Sequence, residues 1–414
     1  MRTGLPALLA LVLAGLLSGG CTETQRESAT GKGSIRGIHA MSTAPDVNFL
    51  IEERSVGTLS YRGMTGAQAF DDLTYNFNFD VRFPGEANIR RLASVPVDVM
   101  PETDYAFALT GTVESPSIVV WETPERAWEG SETVFEGSAG HLAASAGELD
   151  VYLAPPGTAP AAGQARGTLA FGEKLPPFEA ESGDWVLTVT AAGDPADVLF
   201  RSNTQDLVEM TSVLFTIQDA GPSITSPLTV QRVTRDGTAA QLADSRFPPT
   251  RRFFHAAAGT TDLDVVVDEA FGAPVVSGLA FGTVSADVPV PSGESTYSFT
   301  QAGNPGAILH EEEDTAAANS RATSFIAGPP GNLELVSFAD NRRPISGVAK
   351  VRLTLLSASM EEADLYLLES GTDVAEASPG FSGMDTLSTT GYLQVAPGSY
   401  EITVTVAGEK TIAA

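Results

Sequence analysis

The chain has a single cysteine, Cys21, among 414 residues, so no intramolecular disulfide can brace it and no Cys-x-x-Cys motif exists. Positive charge is scarce: 24 lysines and arginines face 52 acidic residues, a net charge of −28. A molecule of that sign is repelled by phosphate backbones and anionic headgroups, which argues against nucleic-acid binding. The acidic residues are spread along the chain, as on a solvated surface, and do not form one long tail. Also missing are a Gly-x-Ser-x-Gly elbow, a phosphate loop and an Asp-x-Asp-x-Asp-Gly calcium loop. Gly380-Phe381-Ser382-Gly383 is the nearest miss and reads as a turn. Beyond the N-terminus no stretch sustains a helical apolar period.

What is present begins with an address. Arg2 precedes an apolar run over residues 5–17, and Ser18-Gly19-Gly20 lead into Cys21. A run this short, ending in small residues, is an export signal and not a membrane span. The lone cysteine at that point resembles the lipobox of bacterial lipoproteins, in which the cysteine is lipidated and becomes the mature N-terminus. Ser18 stands where that pattern usually has leucine, with Leu17 one place earlier. The resemblance implies a lipid-anchored protein of the bacterial cell envelope, and Thr22 in place of an aspartate directs it to the outer membrane, with display at the cell surface. The expected limits are a signal peptide over 1–21 and a flexible tether over 22–33, where no apolar residue exceeds alanine.

The rest is organised by a phrase written four times. Phe253-Phe254-His255 runs into the small residues Ala256-Ala257-Ala258-Gly259, and Asp264 opens a second strand nine residues after the histidine. His141 with Asp150 and His39 with Asn48 repeat the spacing, and the last copy pairs Leu355 with Asp364. The copies recur at intervals of roughly 100 residues, the size at which about seven short strands make a two-sheet sandwich. Alternating strands bounded by Gly, Pro, Asn and Asp occur throughout, as in Tyr75, Phe77, Phe79, Val81 and Phe83 against Asn76, Asn78, Asp80 and Arg82. Leu169-Ala170-Phe171-Gly172 returns as Leu279-Ala280-Phe281-Gly282. The predicted class is therefore all-β, a tandem array of Ig-like β-sandwich modules after a lipoprotein signal peptide. Module limits fall at 34–124, 134–248, 249–345 and 346–414, with a polar linker over 125–132. The fourth module lacks the closing hairpin that the first and third show.

At these residues the chain resembles the bacterial domain-of-unknown-function family DUF4397, repeated modules of exported proteins and lipoproteins. His39-Ala40, His255-Ala256, Leu149-Asp150-Val151-Tyr152, Ala363-Asp364-Leu365-Tyr366 and the turn at Pro397-Gly398-Ser399-Tyr400 carry the likeness. Asn48 and Leu355 depart from it. The family brings no reaction and no ligand.

Three of four histidines at one repeat position invite a catalytic or metal role with the downstream carboxylate. Strand parity opposes it, because Phe253 and His255 share a face that Val351, Leu353 and Leu355 occupy in the fourth copy. A position that accepts leucine is a core position, so the imidazole should bond a backbone carbonyl or turn oxygen. No catalytic or metal residue is assigned. No cofactor is expected; the candidate is calcium, at the acidic run 310–314 or between modules at Asp262 and Asp264. His310-Glu311-Glu312-Glu313-Asp314 is read as a solvated acidic loop. The expected function is non-enzymatic: a structural, adhesion or surface-polymer-binding protein whose partners are the membrane through its lipid and a polysaccharide or surface protein, with Trp121 or Trp128 as the exposed glycan-contacting aromatic. The alternative is a hydrolase with a site between modules.

Overall fold

The computed structural model describes residues 29–221, 224–357 and 359–412, and among them every regular element is a β-strand. The run read as an export signal and Cys21, read as the lipidation position, lie outside the described residues.

The first module follows from alternation. Phe77, Phe79 and Val81 of strand Thr74–Val81 are fully buried, and Tyr75 and Phe83 pack at the margin of the same core. That strand sits in an antiparallel sheet with Arg54–Leu59, Val47–Ile51 and Arg90–Asp98. The facing sheet orders Gln68–Asp71, Lys32–His39, Thr103–Gly111 and Pro116–Pro124, and its central pair is parallel, with Ser34 beside Asp104 and His39 beside Leu109. Phe49, Phe77 and Phe107 meet between the sheets; each such buried ring contributes about 2–3 kcal/mol. Asn78, expected in water, is buried as well. Its Nδ2 donates to Glu52 O at 2.7 Å and its Oδ1 accepts from Ser94 Oγ at 2.6 Å, so the polar group is satisfied in place.

The second and third modules repeat the plan. Val134–Leu142 runs parallel to Ser212–Asp219, and Thr250–His255 parallel to Arg321–Ala327. Opposite them, Leu149–Ala154 and Leu263–Val267 each lie between two antiparallel partners. In the fourth, Glu362–Glu369 lies between Phe381–Asp385 and Tyr400–Val406, while the facing side holds two short ladders, Ala349–Val351 with Leu393–Val395 and Thr354–Leu355 with Ser388–Thr389. The four cores are separate clusters of buried residues.

Further sequence expectations change, and Phe381-Ser382-Gly383, read as part of a turn, lies in strand Phe381–Asp385. The fold begins inside the stretch read as tether: Lys32 and Gly33 pair with Asp71 and Phe70, and Thr30 and Gly31 donate their backbone N–H to Asp72 at 2.7 and 3.0 Å. Backbone pairing holds this edge without apolar side chains, which composition does not reveal. The acidic run 310–314 is not a loop but part of strand Asn304–Ala316, paired along Gly293–Gln301. Trp121 is 4 % exposed, not a surface aromatic: its ring lies in a cluster with Ile38, Ala106, Ala108 and Leu142 that joins the first two modules.

Candidate functional site

Each repeat histidine is a clip across the turn that follows it. Nε2 of His39 lies 2.9 Å from Pro45 O, that of His141 3.0 Å from Gly147 O, and that of His255 3.2 Å from Thr261 O. On the other side of the ring, Nδ1 accepts the backbone N–H of Met41, Ala143 and Ala257 at 3.2–3.3 Å. Because Nδ1 accepts, the proton sits on Nε2 and is donated to the carbonyl six residues on. All three rings are fully buried, and burial lowers each pKa, that of His39 to about 4. A ring meets each imidazole edge-on: Tyr61, Phe171 and Phe281. The repeated Leu-Ala-Phe-Gly segment is thus the lid of the histidine.

The carboxylates clamp two turns at once. Asp264 accepts Gly278 N and Gly303 N at 2.8 Å each, and Asp364 accepts Gly383 N at 2.8 Å and Gly408 N at 3.0 Å. Asp150 accepts Thr168 Oγ1 at 2.5 Å and Gly193 N at 2.8 Å. Asn48, with one acceptor oxygen, takes Ser55 Oγ at 2.6 Å. The repeat histidines and carboxylates therefore bond to backbone and hydroxyl groups near their own turns, not to one another. Among the described residues no three His, Cys, Asp or Glu side chains come together in a metal-binding group. His310 Nε2 lies 3.0 Å from Glu312 along their strand.

The modules close on each other. Between the first and second, Trp121 Nε1 donates to Gly172 O at 2.8 Å and its ring covers Gly140, where an added Cβ would lie 2.2 Å from the indole. Arg36 donates to Thr234 O and Arg235 O, and Tyr61 Oη to Asp219 O. Between the second and third, Asn319 Oδ1 accepts Thr225 N and Ser226 N at 3.0 and 3.3 Å. Between the third and fourth, the buried Asp340 carboxylate gathers Arg252, Arg342 and Arg352 at 3.4, 3.0 and 3.0 Å. The third and fourth return to the first: Arg343, at the end of the third, donates to Ser42 O and Ala44 O at 2.8 and 2.7 Å, and Ser346 N of the fourth to Thr43 O at 2.8 Å.

Where these contacts converge there is a cavity of about 170 Å³. Tyr61 and Arg62 enter from the first module, Ala220 from the second, Arg343 from the end of the third, and Lys350 and Tyr392 from the fourth. The Arg343 guanidinium stacks 4.9 Å from the Tyr61 ring centroid, and Lys350 and Arg352 lie 5.2 and 4.8 Å from that of Tyr392. Burial lowers the pKa of Arg62 and Arg343, and burial with the Arg343 charge brings Lys350 down to about 8. Sequence reasoning passed over these cations. The signal was the substitution of Tyr61-Arg62 for the Phe-Gly that the second and third modules carry.

Residues 250–366 match the domain of unknown function DUF4397. No curated protein matches the chain. Among solved structures, a likeness to the Bacillus anthracis TIE protein covers 92 % of this chain and 64 % of that one, at 10 % identity and a TM-score of 0.18. The chain thus spans a little under two thirds of that protein's length.

Proposed function

We propose, for a chain whose residues 250–366 are a DUF4397 module, a non-enzymatic role as a lipid-anchored protein of the bacterial cell envelope, structural or adhesive, that holds a surface polymer or protein. The observation that carries this reading is the use made of the repeat histidines and carboxylates. His39, His141 and His255 hold their turns through both ring nitrogens, and Asp150, Asp264 and Asp364 through both carboxylate oxygens. A general base needs a free nitrogen or oxygen within reach of a substrate proton, and these groups spend theirs on architecture. Three two-sheet sandwiches and a smaller fourth module, bonded to one another at their contacts, make a stiff body, which suits a spacer or a presenting surface better than a hinge-operated active site. The anchor follows from Cys21 and the run before it. With Trp121 buried, Trp128 remains as the sugar-contacting tryptophan of this reading; it is half-buried with the Arg126 guanidinium 4.1 Å over its ring, so a sugar would have to take the other face.

The test is incubation of the full chain with a panel of polysaccharides and model esters. Retention on a polymer column without turnover is the expected result. Turnover abolished by His255→Ala overturns the proposal. Protease shaving of intact cells tests the location independently, with cleavage expected only if the body stands outside the outer membrane.

A further inference from the structure

We propose that the cavity at the convergence of the four modules is a binding site for a compact oxyanion, inorganic or carried on a sugar acid, held by Arg62, Arg343 and Lys350. In a chain with 52 acidic residues and 24 lysines and arginines, inward-facing cations have carboxylates to pair with, as Arg251 does at Asp314 and Arg352 at Asp340. These three do not. Arg343 bonds two carbonyls, Arg62 only Thr229 Oγ1 at 3.3 Å, and Lys350 the backbone and side-chain oxygens of Asn341 at 2.7 and 2.9 Å. Among the described residues none of them is ion-paired, and Asp46, the one carboxylate on the cavity wall, bonds Gln394 at 3.5 Å. Three cations facing the single Asp46 carboxylate leave the cavity with positive charge in excess, at a cost that a bound anion would offset. Guanidinium groups present the paired donors that carboxylates and phosphates fit.

A second observation is independent of charge. Arg62 has a φ of 68°, in the position that Gly172 and Gly282 fill at 85° and 77°. The equivalence is structural: Arg62 N, Gly172 N and Gly282 N each donate to the carbonyl of their module's histidine at 2.8 Å. Leu387 takes the place in the fourth module, at φ 60° and bonded to Leu355 O. A long side chain in the left-handed region is a local conformational cost. In the first module that cost brings a third cation to the cavity where all four modules meet. The space, about 170 Å³, suits a phosphate or a single sugar acid and excludes a polymer chain, so the site is distinct from any surface-polymer contact.

Lys350 faces Asp46, Tyr61, Arg62, Arg343 and Tyr392 across the cavity, with Arg352 behind Tyr392. Its pKa near 8 makes it the group that changes charge close to neutrality, so affinity for glucuronate, whose own charge is constant there, should fall as pH rises from 7 to 9. The experiment is titration calorimetry on the full chain in detergent at low ionic strength, with inorganic phosphate, glucuronate and uncharged glucose as probes. One site for phosphate or glucuronate is expected, whichever binds naming the headgroup, with affinity at least 10-fold weaker in Lys350→Gln and in Arg62→Gly. Arg62→Gly keeps the backbone conformation and so separates ligand loss from unfolding. Absence of binding by both anions, unchanged affinity in both variants, or glucose binding as well as glucuronate overturns the proposal.

Discussion

At the scale of the residue, the repeat positions are worth what their hydrogen bonds are worth. His39 is neutral in the fold down to about pH 4, whereas an unfolded histidine takes its proton near 6.5. Between those values the unfolded chain binds more protons, so the stability held above pH 6.5 is lost as pH falls toward 4, by up to about 3 kcal/mol from this one residue. His141 and His255 shift in the same direction. Urea midpoints of the wild type and of His39→Leu, compared at pH 7, 5.5 and 4, isolate this share from carboxylate protonation: the gap between the two should narrow on acidification. Asp264→Asn removes one of two acceptors, leaving either the Gly278 or the Gly303 N–H without its bond. A loss of about 1–3 kcal/mol is expected in denaturant unfolding; an unchanged midpoint would mean water replaces the carboxylate at no cost.

At the scale of the element, much of this fold is legible because a buried strand face leaves a period of two. Phe77, Phe79 and Val81 announce their own sheet, and His255 can be read as inward-facing from Leu355 alone. Two features leave no such trace. The parallel pairing of Lys32–His39 with Thr103–Gly111 depends on residues some seventy positions apart in sequence, and local patterning says nothing about which strand lies alongside. The strand Asn304–Ala316 is acidic because it is an outer strand of its sheet, largely exposed, where composition mimics a loop. The cavity cations escaped notice for a related reason: Arg62, Arg343 and Lys350 are far apart in the chain and meet only through module contacts. Those contacts can be tested at one glycine. Gly140→Ala drives a methyl into the Trp121 indole, and overpacking of this kind costs about 1–3 kcal/mol. Thermal unfolding of Gly140→Ala, Trp121→Ala and the double variant should show coupling between the two positions; strict additivity would mean the modules do not touch there.

At the scale of the whole molecule, four modules with separate cores do not form a string. The Asp340 hub ties the third to the fourth, and Arg343 and Ser346, on either side of that junction, tie it back to the first. Small-angle scattering distinguishes the arrangements. Modules of this size drawn out in a row would give a radius of gyration on the order of 40 Å, and a closed cluster on the order of 25–30 Å. The smaller value is expected for the wild type. Arg343→Ala should move it upward, because Ser42 O and Ala44 O then lose the donor that holds the junction of the third and fourth modules against the first.

The return of Arg343 to the first module also bears on ancestry. A solenoid lengthens by copying one unit, since each new copy stacks on an exposed end. Here a fifth sandwich slipped between neighbours would pull that guanidinium off its two carbonyls and open the cavity it walls. Copy number in such a protein is fixed by geometry, and duplication would have to add a second complete quartet where a solenoid adds one repeat.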